Sequence, residues 1–287
     1  MLDREEYVEQ AYFWRTFLER VQDGVPAQEV IEQVREEILS TTKLPMALEF
    51  LLGEIRHKGR LSDGMALMPH YFAPFQTLLV NKAEDETIKF DILIALQILE
   101  AEAEYRASDN LTRPGLFIYQ FECIARNRLG YHEGMEAIAR DPQFDETWAD
   151  WILWVRRQLG TTEFCEFLYL RSEFAVKEKR RALQQPEWSP EIDILFGQRE
   201  GRIAKANRGK DPLYMFAALQ RQLGYPAVPK AKPTDDEKII HPIIEQRFQL
   251  LEKRLSIVEQ EQKDGLDLTD FYAKPGQQPN RQSPNAD

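Results

Sequence analysis

Thr87-Ile-Lys-Phe-Asp-Ile-Leu-Ile-Ala-Leu-Gln-Ile-Leu-Glu-Ala-Glu-Ala-Glu-Tyr105 sets Ile88, Ile92, Leu96 and Leu99 at spacings of four and three. That period draws one apolar stripe along a helix, whereas a strand would alternate between two faces. The stretch predicts a helix from Thr87 to Tyr105, and its neighbours repeat the pattern. Upstream, Asp3 caps a helix running to about Gln22, which Gly24 stops. Pro26 opens a second with Val30, Val34 and Ile38 on one side, and Pro45 a third with Leu48, Leu51, Leu52 and Ile55. Downstream, Ser189-Pro190 and Asp211-Pro212 each pair a capping side chain with a proline at the first helical position. Fragments with strand-like composition, such as Phe117-Ile118-Tyr119, fall inside helical patterns.

Three helix endings read alike: Arg126-Asn-Arg-Leu-Gly130-Tyr, Arg156-Arg-Gln-Leu-Gly160-Thr and Gln220-Arg-Gln-Leu-Gly224-Tyr. Glycine supplies a left-handed residue, arginine sits near the negative helix end, and leucine packs. The residues between these endings do not align with one another, so ordinary helix stops are favoured over a repeat. Composition agrees with helix, because Gly is scarce (14 of 287) and good helix formers abound. With 43% apolar residues the chain can build a sizeable core. The fold class is therefore all-α: a multi-helix body over 1–225, followed by a proline-rich linker at 226–241.

The linker holds Pro226, Pro229 and Pro233 and reads as an extended, semi-rigid spacer. His241 and Pro242 then start a coiled-coil-type helix over 242–264, roughly 33 Å long, with Gly265 as its stop. In heptads, Ile244, Leu251 and Val258 take position d, and Phe248 and Leu255 take position a. Arg247 and Arg254 fall at g, with Glu252 and Glu259 at e. A parallel pair of such helices sets Arg247 against Glu252 and Arg254 against Glu259, whereas an antiparallel pair opposes like charges. Self-association, or another protein partner, is the expected use of this helix. The heptad run is short, and Ile243, Leu250 and Ile257 widen the apolar face, so docking back on the body stays open. Residues 265–287 read as a short apolar segment, Leu266 to Tyr272, and a disordered tail.

The net charge of −11 is uneven, with 21 acidic against 11 basic residues in positions 1–110. Such a surface repels nucleic acid and anionic membrane. The longest apolar run, Ile92–Leu99, is far shorter than the about 20 residues of a membrane span. The N-terminus lacks a basic segment followed by an apolar one, which argues against a secretory signal. Cys123 and Cys165 read as buried thiols. A cytoplasmic protein is expected.

No catalytic, cofactor or metal constellation emerges, so the leading expectation is a non-enzymatic interaction or scaffold protein. Glu54-x-x-His57 lacks the second copy that a di-iron bundle needs. His132-Glu133-Gly-Met-Glu136 lacks the second histidine of a zinc protease and reads as a helix start. Glu100, Glu102 and Glu104 read as a solvated face. Between Gly201 and Gly209 the spacing is wrong for a phosphate loop, and Asp211 replaces its hydroxyl residue. The basic run Arg199, Arg202, Lys205, Arg208 and Lys210 offers a possible anion or RNA contact, or a charge partner for the body's own acids. A second basic cluster lies at Lys177, Lys179, Arg180 and Arg181. Trp148, Trp151 and Trp154 read as core. The alternative to a scaffold is a small-molecule-binding or enzymatic body whose site gathers acids and arginines from separate helices, with Glu122 and Arg126 as the pair to inspect.

Overall fold

The computed structural model describes residues 2–230 except 39, 40, 86 and 89. The heptad residues of 242–264, the rest of the linker and the tail lie outside the described residues. Thirteen α-helices and no strand occur among the described residues, so this part of the chain is all-α. No described helix is long and apolar enough to cross a membrane.

The first six helices are α1 (Arg4–Gln22), α2 (Ala27–Glu37), α3 (Leu44–Lys58), α4 (Leu61–Ala66), α5 (Pro74–Glu84) and α6 (Ile92–Ala107). Helices α2 to α6 each pack on the next, and α1 closes the group by lying along α6. The second group is α7 (Arg113–Asn127), α8 (Tyr131–Ala139), α9 (Glu146–Gln158), α10 (Phe164–Leu170), α11 (Glu173–Leu183), α12 (Gln198–Ala206) and α13 (Pro212–Leu223). Here α7 touches both α8 and α13, and α5 meets α8 to join the two groups. Each group has an aromatic centre. Phe13, Trp14, Phe17 and Phe72 fill the first. Phe117, Trp148, Trp151 and Phe196 fill the second, with Phe117 within 6.4 Å of the other three rings.

Several capping expectations are met. Asp211 accepts from the Leu213 amide at 2.9 Å, and Gly224 takes φ 70° to end α13. Trp148 and Trp151 are buried, as expected of core residues, but Trp154 is 40% exposed. Both cysteines are free and buried.

Four further expectations need correction. The helix of the opening stretch begins at Ile92, where the Asp91 carboxylate caps the Leu93 amide at 2.8 Å. Thr87, where the sequence placed the start, is instead held by Asp85, whose carboxylate accepts from both its amide and its hydroxyl. No helix starts at Ser189-Pro190. Ile192, Ile194 and Phe196 alternate, and only Phe196 reaches the core; the amides of Leu195 and Phe196 bond to the Arg171 carbonyl instead. The ending at Gly130 is also different. Arg128 takes the left-handed turn at φ 53°, the Leu129 amide returns to the Ile124 carbonyl, and Gly130 at φ 90° opens α8. The fourth correction, at Glu102, belongs with the site below.

The first residues of the proline-rich stretch lie against the body. Asn127 donates to the Pro229 carbonyl at 3.1 Å, and Val228 packs on the core.

Candidate functional site

Glu100, Glu102 and Glu104 do not share one solvated face. Glu100 and Glu104 both take the guanidinium of Arg15 on α1, the first at 2.7 Å. Glu102 points the other way and is fully buried. At 100° per residue, alternate helix positions diverge, and 102 shares its inward side with Ala95, Leu99 and Arg106. Arg106 bonds Glu102 at 2.9 Å and grips both oxygens of Asp141, which follows α8. Gln120 on α7 donates to Glu102 at 2.7 Å and to Asp141 at 3.0 Å. Tyr7 of α1 lies under the guanidinium, 5.7 Å from ring centre to Cζ.

Two carboxylates thus share one buried cation, and their protonation separates. Burial raises the Glu102 carboxyl above the ordinary range, and the Asp141 charge adds to that push. Burial would also raise Asp141, but the charge and hydrogen bonds of Arg106, with the Gln143 amide and Gln120, outweigh it and hold Asp141 low. The two have opposite consequences for stability. A depressed Asp141 stabilises the fold above its unfolded value near about 3.9 and loses that contribution as pH falls. A raised Glu102 favours the fold below its unfolded value near about 4.3, and the contribution drains as pH rises toward the folded value. Glu102→Gln mimics the protonated acid. It is expected to gain on the parent as pH climbs from about 4, by up to about 1.4 kcal/mol per pH unit until the folded value is passed. Parallel urea midpoints for the two proteins from acid to neutral pH would show Glu102 to be an ordinary ionised carboxylate.

That cluster is sealed and fastens α1, α6, α7 and the turn after α8. An open site lies elsewhere in the second group. The end of α7, the start of α8, the end of α9 and the start of α13 surround a pocket of about 640 Å³. Its rings are Phe121, Tyr131, Phe164 and Phe216. Phe121 and Phe164 stack in parallel at 3.9 Å, and Tyr131 stacks on Phe121 at 5.7 Å. Phe216 lies 5.9 Å from Phe164. Polar groups at the wall are Arg126, Arg156, His132, Thr162 and Asp211.

Each arginine is held from behind. Arg126 Nε bonds Glu122 at 2.5 Å, and the Tyr225 hydroxyl meets the other Glu122 oxygen at 2.8 Å. Arg156 reaches Glu136 with one Nη at 3.3 Å, while Glu136 is also engaged by Arg140. The Arg156 Nε is buried and has no hydrogen-bond partner. The aspartate at the mouth is committed to its own helix, accepting from Leu213.

All three similar helix endings therefore serve this place. The first gives Arg126 and Tyr131 to the wall, the second gives Arg156, Leu159 and Gly160, and the third gives the supporting Tyr225. The Glu122–Arg126 pair stands in the pocket wall. Sequence reasoning missed Phe121, Phe164 and Phe216, which converge only through packing. His132 sits at a helix start, as expected, and at the pocket too.

The basic run at 199–210 is split. Lys205 pairs with Glu178 at 2.6 Å, and Arg208 pairs with Glu166 while lying over the Tyr169 ring. Arg199, Arg202 and Lys210 are exposed. Lys205 and Arg208 thus find acids within the body itself. Cys165 lies near, but burial, with Glu163 beside it, pushes its thiol up to about 11. No group of three potential metal ligands occurs among the described residues.

No family model, no curated protein and no solved structure matches this chain.

Proposed function

We propose that the helical body is a binding domain for one small organic molecule, held in the pocket between α7, α8, α9 and α13. One observation carries this reading: an open, aromatic-walled space of about 640 Å³ with two arginines brought from separate helices. Small-molecule sites typically span about 300–1,000 Å³, with mostly apolar walls and a few convergent polar groups. The pocket also leaves apolar surface in water, since Tyr131 is 47% and Leu213 46% exposed. Covering such surface favours a ligand with an apolar part.

The wall chemistry supports binding: guanidinium groups stay charged at neutral pH and can hold a partner. Self-association through the heptad of 242–264 rests on sequence alone and does not enter this reading.

Ala125 lines the pocket, so Ala125→Trp fills it from the wall. An anilinonaphthalene sulfonate dye, which brightens in apolar sites, is expected to bind the folded parent at one site per chain. In the filled variant, affinity should fall by about tenfold or more at unchanged helix content. Equal dye affinity in both proteins would overturn the assignment of this pocket.

A further inference from the structure

We infer that the ligand of this pocket is an uncharged aromatic molecule bearing a carbonyl-type oxygen, whose rings extend the stack of Tyr131 on Phe121 and whose oxygen accepts a hydrogen bond from Arg126. The inference deepens the binding reading above and rests on it.

The charges at the wall are already answered. Arg126 is paired with Glu122 at 2.5 Å, and Arg156 with Glu136 at 3.3 Å. Asp211 caps the start of α13, where it accepts from the Leu213 amide and the positive helix end offsets it. Two cations thus face two partner carboxylates, and the remaining aspartate is met by its own helix. A ligand ion of either sign would leave water for an apolar wall without a free countercharge, which is costly. An uncharged ligand avoids that cost.

Arg126 nevertheless keeps donors to spare. A guanidinium carries five N–H groups, and Arg126 bonds Glu122 through Nε. Its two Nη nitrogens have no hydrogen-bond partner among the described residues, and the side chain lines the pocket at 22% exposure. Glu122 is fixed in turn by the Tyr225 hydroxyl at 2.8 Å, so the guanidinium is in place before a ligand arrives. A charged donor strengthens a hydrogen bond to a neutral oxygen without asking for a second charge. The aromatic body follows from the walls. Tyr131 is 47% exposed and stacks on Phe121, which stacks in parallel on Phe164. A further flat ring can extend that column in the offset arrangement that aromatic groups prefer.

The test titrates full-length protein with four naphthalene probes. They are acetonaphthone, isopropenylnaphthalene (a methylene in place of the carbonyl oxygen, at nearly the same shape), naphthoate and naphthylmethylammonium. Acetonaphthone is expected to bind about fivefold or more tightly than each of the other three. The paired variant Arg126→Met with Glu122→Gln removes the donor without leaving a lone buried charge. It should erase the preference for acetonaphthone over isopropenylnaphthalene while leaving the affinity of the latter within about twofold. A folded variant that keeps the preference overturns Arg126 as the donor, and the parent series decides the question should the variant fail to fold. Equal binding of the ketone and the alkene by the parent overturns the oxygen. Tighter binding of either ion overturns the uncharged ligand, and in both cases the pocket reading survives. Failure of every probe to bind overturns both the inference and the pocket as a ligand site.

Discussion

Arg106→Met is expected to lower the free energy of unfolding by about 3–5 kcal/mol, read from urea denaturation at neutral pH. The side chain is 5% exposed, and Asp141 and Glu102 beside it are 1% and 0% exposed. Methionine fills a similar volume, so the loss is electrical. Asp141 keeps its charge in a place water cannot reach, and the full desolvation cost falls on the fold. Glu102 adds less, because burial already favours its protonated form. That asymmetry predicts a rescue. The double variant Arg106→Met with Asp141→Asn removes both charges and leaves an acceptor for the Gln143 amide, which Asp141 now bonds at 3.0 Å. It should recover most of the lost stability. A single-variant loss below about 1 kcal/mol, the range of an exposed pair, would mean that the cluster is wet.

Phe117→Ala should cost about 3–5 kcal/mol and depress the melting temperature by roughly 10 °C. Phe117 is fully buried, and its ring neighbours Phe121, Trp148, Trp151, Phe164 and Phe196 come from its own helix and three other places in the chain. Removing the ring leaves a void bounded by five large groups that cannot all collapse into it. Two of those neighbours, Phe121 and Phe164, also wall the pocket, so dye binding should weaken with stability. Trp154→Ala serves as the contrast. Its ring is 40% exposed and touches the Phe167 ring edge-on, so its loss should be far smaller. Comparable losses for the two variants would count against this placing of the core.

Much of the helical body could be read from local chemistry. Asp91, Thr112, Asp145, Ser172 and Asp211 cap helices through their own side chains, and such signals act within three residues. The false start at Ser189-Pro190 shows the limit of that reasoning. The dipeptide permits a helix, but the apolar residues after it alternate, and the Arg171 carbonyl draws the chain into an extended path. Glu102 shows a second limit. A charged residue among alternating acids suggests water, and it is Arg106 one turn on and Gln120, brought from α7, that make its burial tolerable. For the pocket, the arginines and the helix endings were visible in the sequence as separate features. Their meeting was not, because it depends on α9 and α13 both arriving beside the end of α7.

The pairing of α1 with α6 has a consequence during synthesis. The first helix carries Phe13, Trp14 and Phe17, and the partner along which it lies ends at Ala107. A ribosome adding about 5–20 residues per second needs roughly 4–17 s to go from the end of α1 to the end of α6. Through that interval the nascent chain presents an aromatic helix before its cover has been made. The shorter-range neighbours α2 and α3, which α1 also touches, are the first surfaces available to shield it.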